Sequence, residues 1–593
     1  MKRVSRFGSL LLALLLALSM AGCGNKAEKE QARFDAFMDE QFVQALEQDY
    51  TAMHILTQTP ESFGVDRSQV TVGLGLRYDE ESQKAALQTQ KEAWEEFRGF
   101  DRELLRDDQK DTYDIYQYQM ELSEKLCDET FDYYEPVFES MTGLHYQLPT
   151  MLSDWQLRNE QDVADLIVVV NDVKPYIDSA LSYTKKQEEK GLLMVDLDAV
   201  IAYCDNILQK GENSAVLSSM NESIDALGLE AGKADEYKAQ LKKAFTESFL
   251  PAYQSIRDTM QGFKDSGNNN TQGLAKFENG KAYYELLLQN SIGTDKSVEE
   301  VKTMMEGALA EHMQNMMSLA MQNQDLVLQL MQGGTFQTNY TSYDEMLLDI
   351  KERMKEDFPE VGNLDYEIKD VNKEIASDTG VAAYFYIPAL DGKSIKQMRV
   401  NPNSAEISSV DTFKTVAHEG FPGHMYQYAY MYENMDCNYR KAMVNVDAYT
   451  EGYAVYAGYE GLKYLDEVQQ PLLEIYKEDE LGTYCLVVLS DIGIHYEGWS
   501  PEQFSEYWAE QGMALPEEAR DVMYKQLQAN PCAFESYYVG YQEFAAIKQA
   551  AEEKLGEAFD DKAFNQAILK SGTAPFFIVQ RNVDAYVEGE KTE

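Results

Sequence analysis

The stretch TVAHEGFPGHMYQ, residues 415–427, carries two of the chain's six histidines, a glutamate beside the first, and Gly420, Pro422 and Gly423 between them. It has the ingredients of the zinc-binding pattern H-E-x-x-H with two residues too many. On a regular helix, histidines four apart lie about 40° apart around the axis and can share one ion. His418 and His424 are six apart, which on the same helix separates them by about 120° and about 9 Å along the axis. Zinc needs both imidazole nitrogens within about 2.1 Å, so a regular helix fails. The residues between supply a remedy. Pro422 has no N–H to give to the carbonyl of His418, and its ring pushes that carbonyl aside. Gly420 and Gly423 permit the dihedrals of a looped-out turn. The segment is therefore expected to bulge and return His424 to the side of His418.

A third ligand should follow on a later helix. VDAYTEGYAVYAGYE, residues 446–460, has a helical pattern and places Glu451 27 residues after His424. Two histidines and a carboxylate leave one position open for water, as a catalytic zinc requires. Glu419, adjacent to the first ligand, is then the general base for that water. Asp447, one turn before Glu451, is placed to orient a ligand imidazole. The expectation is one Zn2+ per chain. His54, His145 and His312 are isolated, and no role is assigned to them.

Around this segment the chain is helix-forming. Proline is scarce, and Leu, Ala, Glu, Gln, Lys and Met are abundant. Long amphipathic stretches fill the region from Ala32 to about Gln261. Ser297 with Glu300, and Ser342 with Glu345, fit capping boxes. Ser500-Pro501 with Gln503 marks another helix start. The exception is 365–402, where alternation and β-branched and aromatic residues predict short strands around a turn at Leu390-Asp391-Gly392. The fold class is thus mainly α with a small sheet just upstream of the histidines.

About 570 residues follow the N-terminal segment, more than one compact core holds. The polar loop KDSGNNNTQG, residues 264–273, is the best boundary. It separates an N-terminal helical subdomain, 23–263, from a C-terminal catalytic subdomain, 274–593. Residues 1–22 have the basic start (Lys2, Arg3, Arg6) and short apolar run of an export signal. They end in Met20-Ala21-Gly22-Cys23, a lipobox-like site at which Cys23 is lipidated. The protein is then expected on the extracytoplasmic face of the cell membrane, held by its lipid. A formal charge of −50 repels nucleic acid, which excludes that class of partner. The five cysteines beyond Cys23 share no metal-type spacing and read as small hydrophobes, not a disulfide framework.

HEGFPGHMYQ and TEGYAVYAGYE resemble the H-E-x-x-P-G-H and T-E-G-[WY]-A blocks of a bacterial family named only as a domain of unknown function, grouped with the gluzincin metallopeptidases. YFYIPALDG resembles that family's Y-x-x-P-x-x-D-G strand and turn. DIGIHYEGWSPEQ resembles its D-x-G-x-H-x-x-G-W segment, and ESYYVGYQEFAAIKQ with LKSGTAPF its C-terminal blocks. The likeness spans roughly 270–580. It implies a helical gluzincin-like fold with the sheet beside the active site. Within it, Tyr537 either stabilises a tetrahedral oxyanion or is one more packed tyrosine. His495 either donates to the same oxyanion or bonds within the core. The strand before the turn either pairs with an extended peptide or closes a structural hairpin. Lys548 stands where the family tends to have Arg.

Together these residues imply a surface-anchored zinc peptidase that hydrolyses short or flexible peptides. By analogy with other helical gluzincins, the N-terminal half would wall a channel to the site. Two alternatives remain. One is a zinc amidohydrolase acting on a non-peptide or cell-wall amide. The other is a non-catalytic binding lipoprotein that keeps the fold.

Overall fold

The structure, a computed structural model, describes residues 26–331, 336–371, 382–392, 396–403 and 406–590. The signal segment and Cys23 lie outside the described residues. Helix dominates, for reasons visible at single elements. In α1 (Glu160–Lys190), Asn159 caps the start by accepting from the N–H groups of Gln161 and Asp162, and Gly191 ends the helix at a left-handed φ of 71°. Its buried Val163, Leu166, Val170, Val173 and Ile177 recur at helical spacing. That stripe shares a core with Val200 and Cys204 of α2 (Leu197–Lys210) and Ile256 and Met260 of α3 (Leu250–Ser266).

The polar stretch 264–273 starts in the last turn of α3 and continues from Gly267 as a tightly held loop. Asn269 accepts from the N–H of Val195 and donates to its carbonyl, and the Asn270 N–H reaches Leu193 O. A second core, largely from residues beyond this loop, gathers α4 (Gly280–Ile292), α5 (Val298–Gln322) and the helices of the histidine segment. The Ser297–Glu300 capping box opens α5 in both directions. At Ser342 only half a box forms: Ser342 accepts from the N–H of Glu345, whose carboxylate turns to Thr341. Ser500 and Gln503 make a full box.

The sheet lies where the alternation predicts it. β1 (Tyr366–Asp370), β2 (Ala383–Tyr386) and β3 (Lys396–Val400) are ordered β1-β3-β2, with β1 parallel and β2 antiparallel to β3. The Leu390-Asp391 turn docks on the N-terminal half. Asp391 accepts from the N–H groups of Gln58 and Thr59 and from the Thr59 hydroxyl, and Leu390 N–H bonds Leu56 O. Asp154 adds Tyr384 OH at 2.6 Å and Arg399 at 2.8 Å. β2 is thus an edge strand held against the N-terminal helices. Among the described residues the cysteines are all free, and no helix is long and apolar enough to cross a membrane.

Candidate metal centre

α6 (Val410–Glu419) is capped by Ser409, buries Val410, Phe413, Val416 and Ala417, and ends at Glu419. α7 (His424–Asn434) begins at the second histidine. Between them Gly423 N–H bonds Ala417 O and Tyr426 N–H bonds Gly420 O, each six residues back instead of four. Two residues are looped out of the ladder, which is the expected bulge. Gly423 is required there: a Cβ would lie 1.8 Å from His418 O. The bulge sets the His418 and His424 rings 4.8 Å apart between centroids, at 89°.

Glu451 comes from α8 (Asp447–Gly461). This helix is apolar nearly all round, so every face must be packed, and small residues make that possible. Gly461 meets Ala417 of α6 closely, and Gly452 crosses Gly540 of α10 (Glu535–Leu555). A Cβ on Gly540 would stand 2.2 Å from Ala448 O. The buried tyrosines each find a polar partner for their hydroxyl. Tyr449 donates to Ile568 O, Tyr456 to Asn565, and Tyr453 to Pro422 O at 2.9 Å. Tyr453 thus ties the bulge to the helix that carries Glu451.

Glu451 Oε2 ends 3.4 Å from His418 Nε2 and 3.3 Å from His424 Nε2. Donor atoms of all three lie within 4.8 Å of one another, so these residues form a candidate metal-binding group. Neither ring N–H is aligned on Oε2, which is buried without a hydrogen bond, as is His424 Nδ1. Atoms close together yet not bonded to each other suit ligands aimed at a common ion. Burial opposes charge on Glu451, but the facing imidazoles hold it below the usual carboxylate range. Burial likewise opposes charge on His424, and Glu451 overcomes it, pushing His424 up to about 9.

Glu419 stands beside this group, with Oε1 3.7 Å from His418 Nε2. Its Oε2 accepts the backbone N–H of Phe385 on β2 at 2.8 Å. Burial raises its proton affinity, with His418 opposing. The Tyr537 ring lies nearly parallel to His418 at 6.4 Å. Burial, then the charges of Glu451 and Glu419, push its phenol well above the usual range, so it stays a donor. His418, Glu419, Tyr537, Tyr538, Tyr484 and Lys414 border a cavity of about 290 Å³.

Two expected residues sit elsewhere. His495 is fully buried, with Nδ1 accepting from Leu274 N–H and Nε2 facing Leu527 O, so both nitrogens are committed to backbone. It serves the core and not an oxyanion. Asp447 accepts from Asn445 and orients no imidazole. Lys548 is held by Glu460 and Asp561 at 2.9 and 3.0 Å. Sequence reasoning missed Phe385 N–H and Tyr453. Backbone donors leave no mark in a sequence, and Tyr453 is one of 39 tyrosines. Its place two residues after Glu451 was the available signal.

Two solved structures share this fold. A candidate lipoprotein from Colwellia psychrerythraea superposes at a TM-score of 0.80 with 16% identity, covering 94% of this chain and 99% of its own. A candidate lipoprotein of unknown function from Shewanella oneidensis gives 0.60 and 14%, with the same coverage. A candidate oligoendopeptidase F from Bacillus anthracis, at 0.35 and 12% over 82% of this chain and 91% of its own, is too dissimilar to bear on fold or function. No curated protein matches the chain. A family model matches residues 65–583, and the chain accordingly belongs to the family described as bacterial protein of unknown function, DUF885.

Proposed function

We propose that this chain is a zinc-dependent peptidase, anchored by lipid on Cys23 at the extracytoplasmic face of the membrane. The observation that carries the reading is the convergence of His418, His424 and Glu451 with Glu419 alongside but outside the ligand group. Two imidazoles and a carboxylate suit zinc, and the unbonded Glu451 Oε2 fits that role. Zinc, when bound, would supply Lewis acidity and lower the pKa of water at the site.

The rest is work for the chain's own side chains. Glu419 has Oε2 tied to β2 and Oε1 turned to the ligand group, so Oε1 takes the proton from the attacking water and passes it to the leaving amine. Tyr537 keeps its proton and donates to the oxygen that gains charge as the amide carbon becomes tetrahedral. The cavity beside Tyr484 and Tyr538 receives a substrate side chain. The lipid anchor rests on the M-A-G-C order at residues 20–23 and on the lipoprotein descriptions of two relatives of the same fold.

Glu419→Gln tests the reading. Glutamine keeps size and reach but takes no proton at neutral pH. Zinc content should match that of the wild-type chain while turnover of the best peptide from a library falls by about 10²–10⁴. Wild-type turnover in Glu419→Gln would sink the mechanism. Preferential cleavage of cell-wall amides in the same screen would favour the amidohydrolase instead.

A further inference from the structure

We propose that Asp491, Cys532 and Glu535 form a second, buried metal site that takes a divalent cation of the zinc class, separate from the His418 centre. Asp491 comes from the last turn of α9 (Gln470–Ile492), Cys532 from the turn before α10, and Glu535 from the first residue of α10. One donor atom from each lies within 4.8 Å of the other two. A single point therefore lies within about 2.8 Å of all three, close to ligand distance after small adjustments.

Three of the four carboxylate oxygens here lack a hydrogen bond. Glu535 is 0% exposed and Asp491 1%. Both oxygens of Glu535, and Oδ1 of Asp491, are buried without a hydrogen bond. Asp491 Oδ2 accepts from Tyr284 OH at 2.8 Å and from Cys532 N–H at 3.3 Å. Among the described residues no Lys or Arg pairs with either carboxylate. His495 Nε2 lies 3.6 Å from Asp491 Oδ1, beyond hydrogen-bond reach, and both ring nitrogens are engaged by backbone, Nδ1 with Leu274 N–H and Nε2 with Leu527 O. Two carboxylates buried without a cation are costly unless something neutralises them.

A shared proton would neutralise the carboxylates, but it gives no reason for the thiol. Cys532 holds a left-handed φ of 59°, uncommon for a side chain with a Cβ, in the turn that brings Sγ into the group. Thiolate with carboxylate is a donor set for zinc and not for calcium or magnesium. Burial raises the proton affinity of both Glu535 and Cys532, so an ion would enter by displacing protons. Such an ion fastens the start of α10 to the end of α9, two residues before Tyr537. Its part is to position the start of α10, and it stands whether or not the His418 centre is catalytic.

Cobalt titration tests this, because only the second site holds sulfur. The chain from Gly24 onward would be stripped with chelator and titrated with Co2+. The expected result is two equivalents per chain with a thiolate-to-cobalt charge-transfer band in the near ultraviolet. Cys532→Ser should lose the band and one equivalent, and the isosteric Glu535→Gln should lose one equivalent while remaining folded. Glu451→Ala should lose the other equivalent and keep the band, which separates this site from the proposed catalytic one. A wild-type chain with no sulfur band, or a band that survives Cys532→Ser, would overturn the proposal. So would Glu535→Gln with wild-type cobalt content, the outcome expected if a shared proton fills the site.

Discussion

The backbone N–H of Phe385 and the carboxylate of Glu419 meet at 2.8 Å, joining the edge strand to the proposed general base. The contact fixes one carboxylate oxygen and leaves the other facing the ligand group. Phe385→Pro removes that N–H, which does not serve the β3 ladder, together with the ring beside Tyr428, so Phe385→Ala is the control for the ring, and proline is tolerated at an edge. Loss of a hydrogen bond to a charged group is worth about 1.5–3 kcal/mol, so kcat/KM should fall about 10–100-fold. Metal content and far-ultraviolet circular dichroism should not change. Full activity in a folded Phe385→Pro would show the bond to be idle.

Tyr537→Phe keeps the ring stacked near His418 and removes the hydroxyl. One lost oxyanion donor costs about 10²–10³ in kcat, with KM little changed because the donor acts on charge that develops later. Steady-state kinetics with zinc analysis would decide it. A change confined to KM would mean the hydroxyl only binds the ground state.

The crossing of α8 and α10 should make glycine replacements differ in sign within one molecule. Gly540→Ala pushes a methyl against Ala448 O and should destabilise by about 1–3 kcal/mol. It should also weaken zinc binding, since Glu451 rides on the displaced helix. Gly307→Ala, inside α5 with open space around it, should instead stabilise by about 0.5–1 kcal/mol. Urea midpoints and zinc competition titrations measure both.

Acid should loosen the N-terminal half through two histidines that carry no catalytic role. Burial pushes His145 down to about 3, and burial with the Arg158 charge pushes His54 down to about 4. Both stay neutral when folded, while the unfolded chain binds protons with a pKa of about 6.5. Their contribution is therefore complete above pH about 6.5 and is lost as pH falls, towards about 4 for His54 and about 3 for His145, by about 3 and about 5 kcal/mol at most. Tm should fall across that window, and His145→Gln should flatten the fall. An unchanged slope in His145→Gln would remove His145 from the account.

Local chemistry was legible in the sequence because its causes lie within a few residues. Ser297 with Glu300 and Ser500 with Gln503 cap their helices, and alternation before the histidines becomes a three-stranded sheet. Glycine and proline between His418 and His424 loop two residues out of the helix, since nothing else there can break the ladder. DIGIHYEGW, by contrast, placed a histidine in a pattern like the family's without saying which way it faces, and the π-helical turn Gly493–Glu497 that follows α9 sends His495 into the core.

Composition and spacing dictate the mainly helical class, several helix starts, the small sheet, and which residues are chemically able to bind a metal. Where those groups meet is set by packing between distant elements. Gly452 against Gly540 brings Tyr537 over His418, the docked Leu390-Asp391 turn brings an edge N–H to Glu419, and Tyr453 sets the bulge against Glu451. These contacts join residues tens to hundreds of positions apart. They depend on closing long loops and packing whole faces, and those free energies belong to no single stretch of chain.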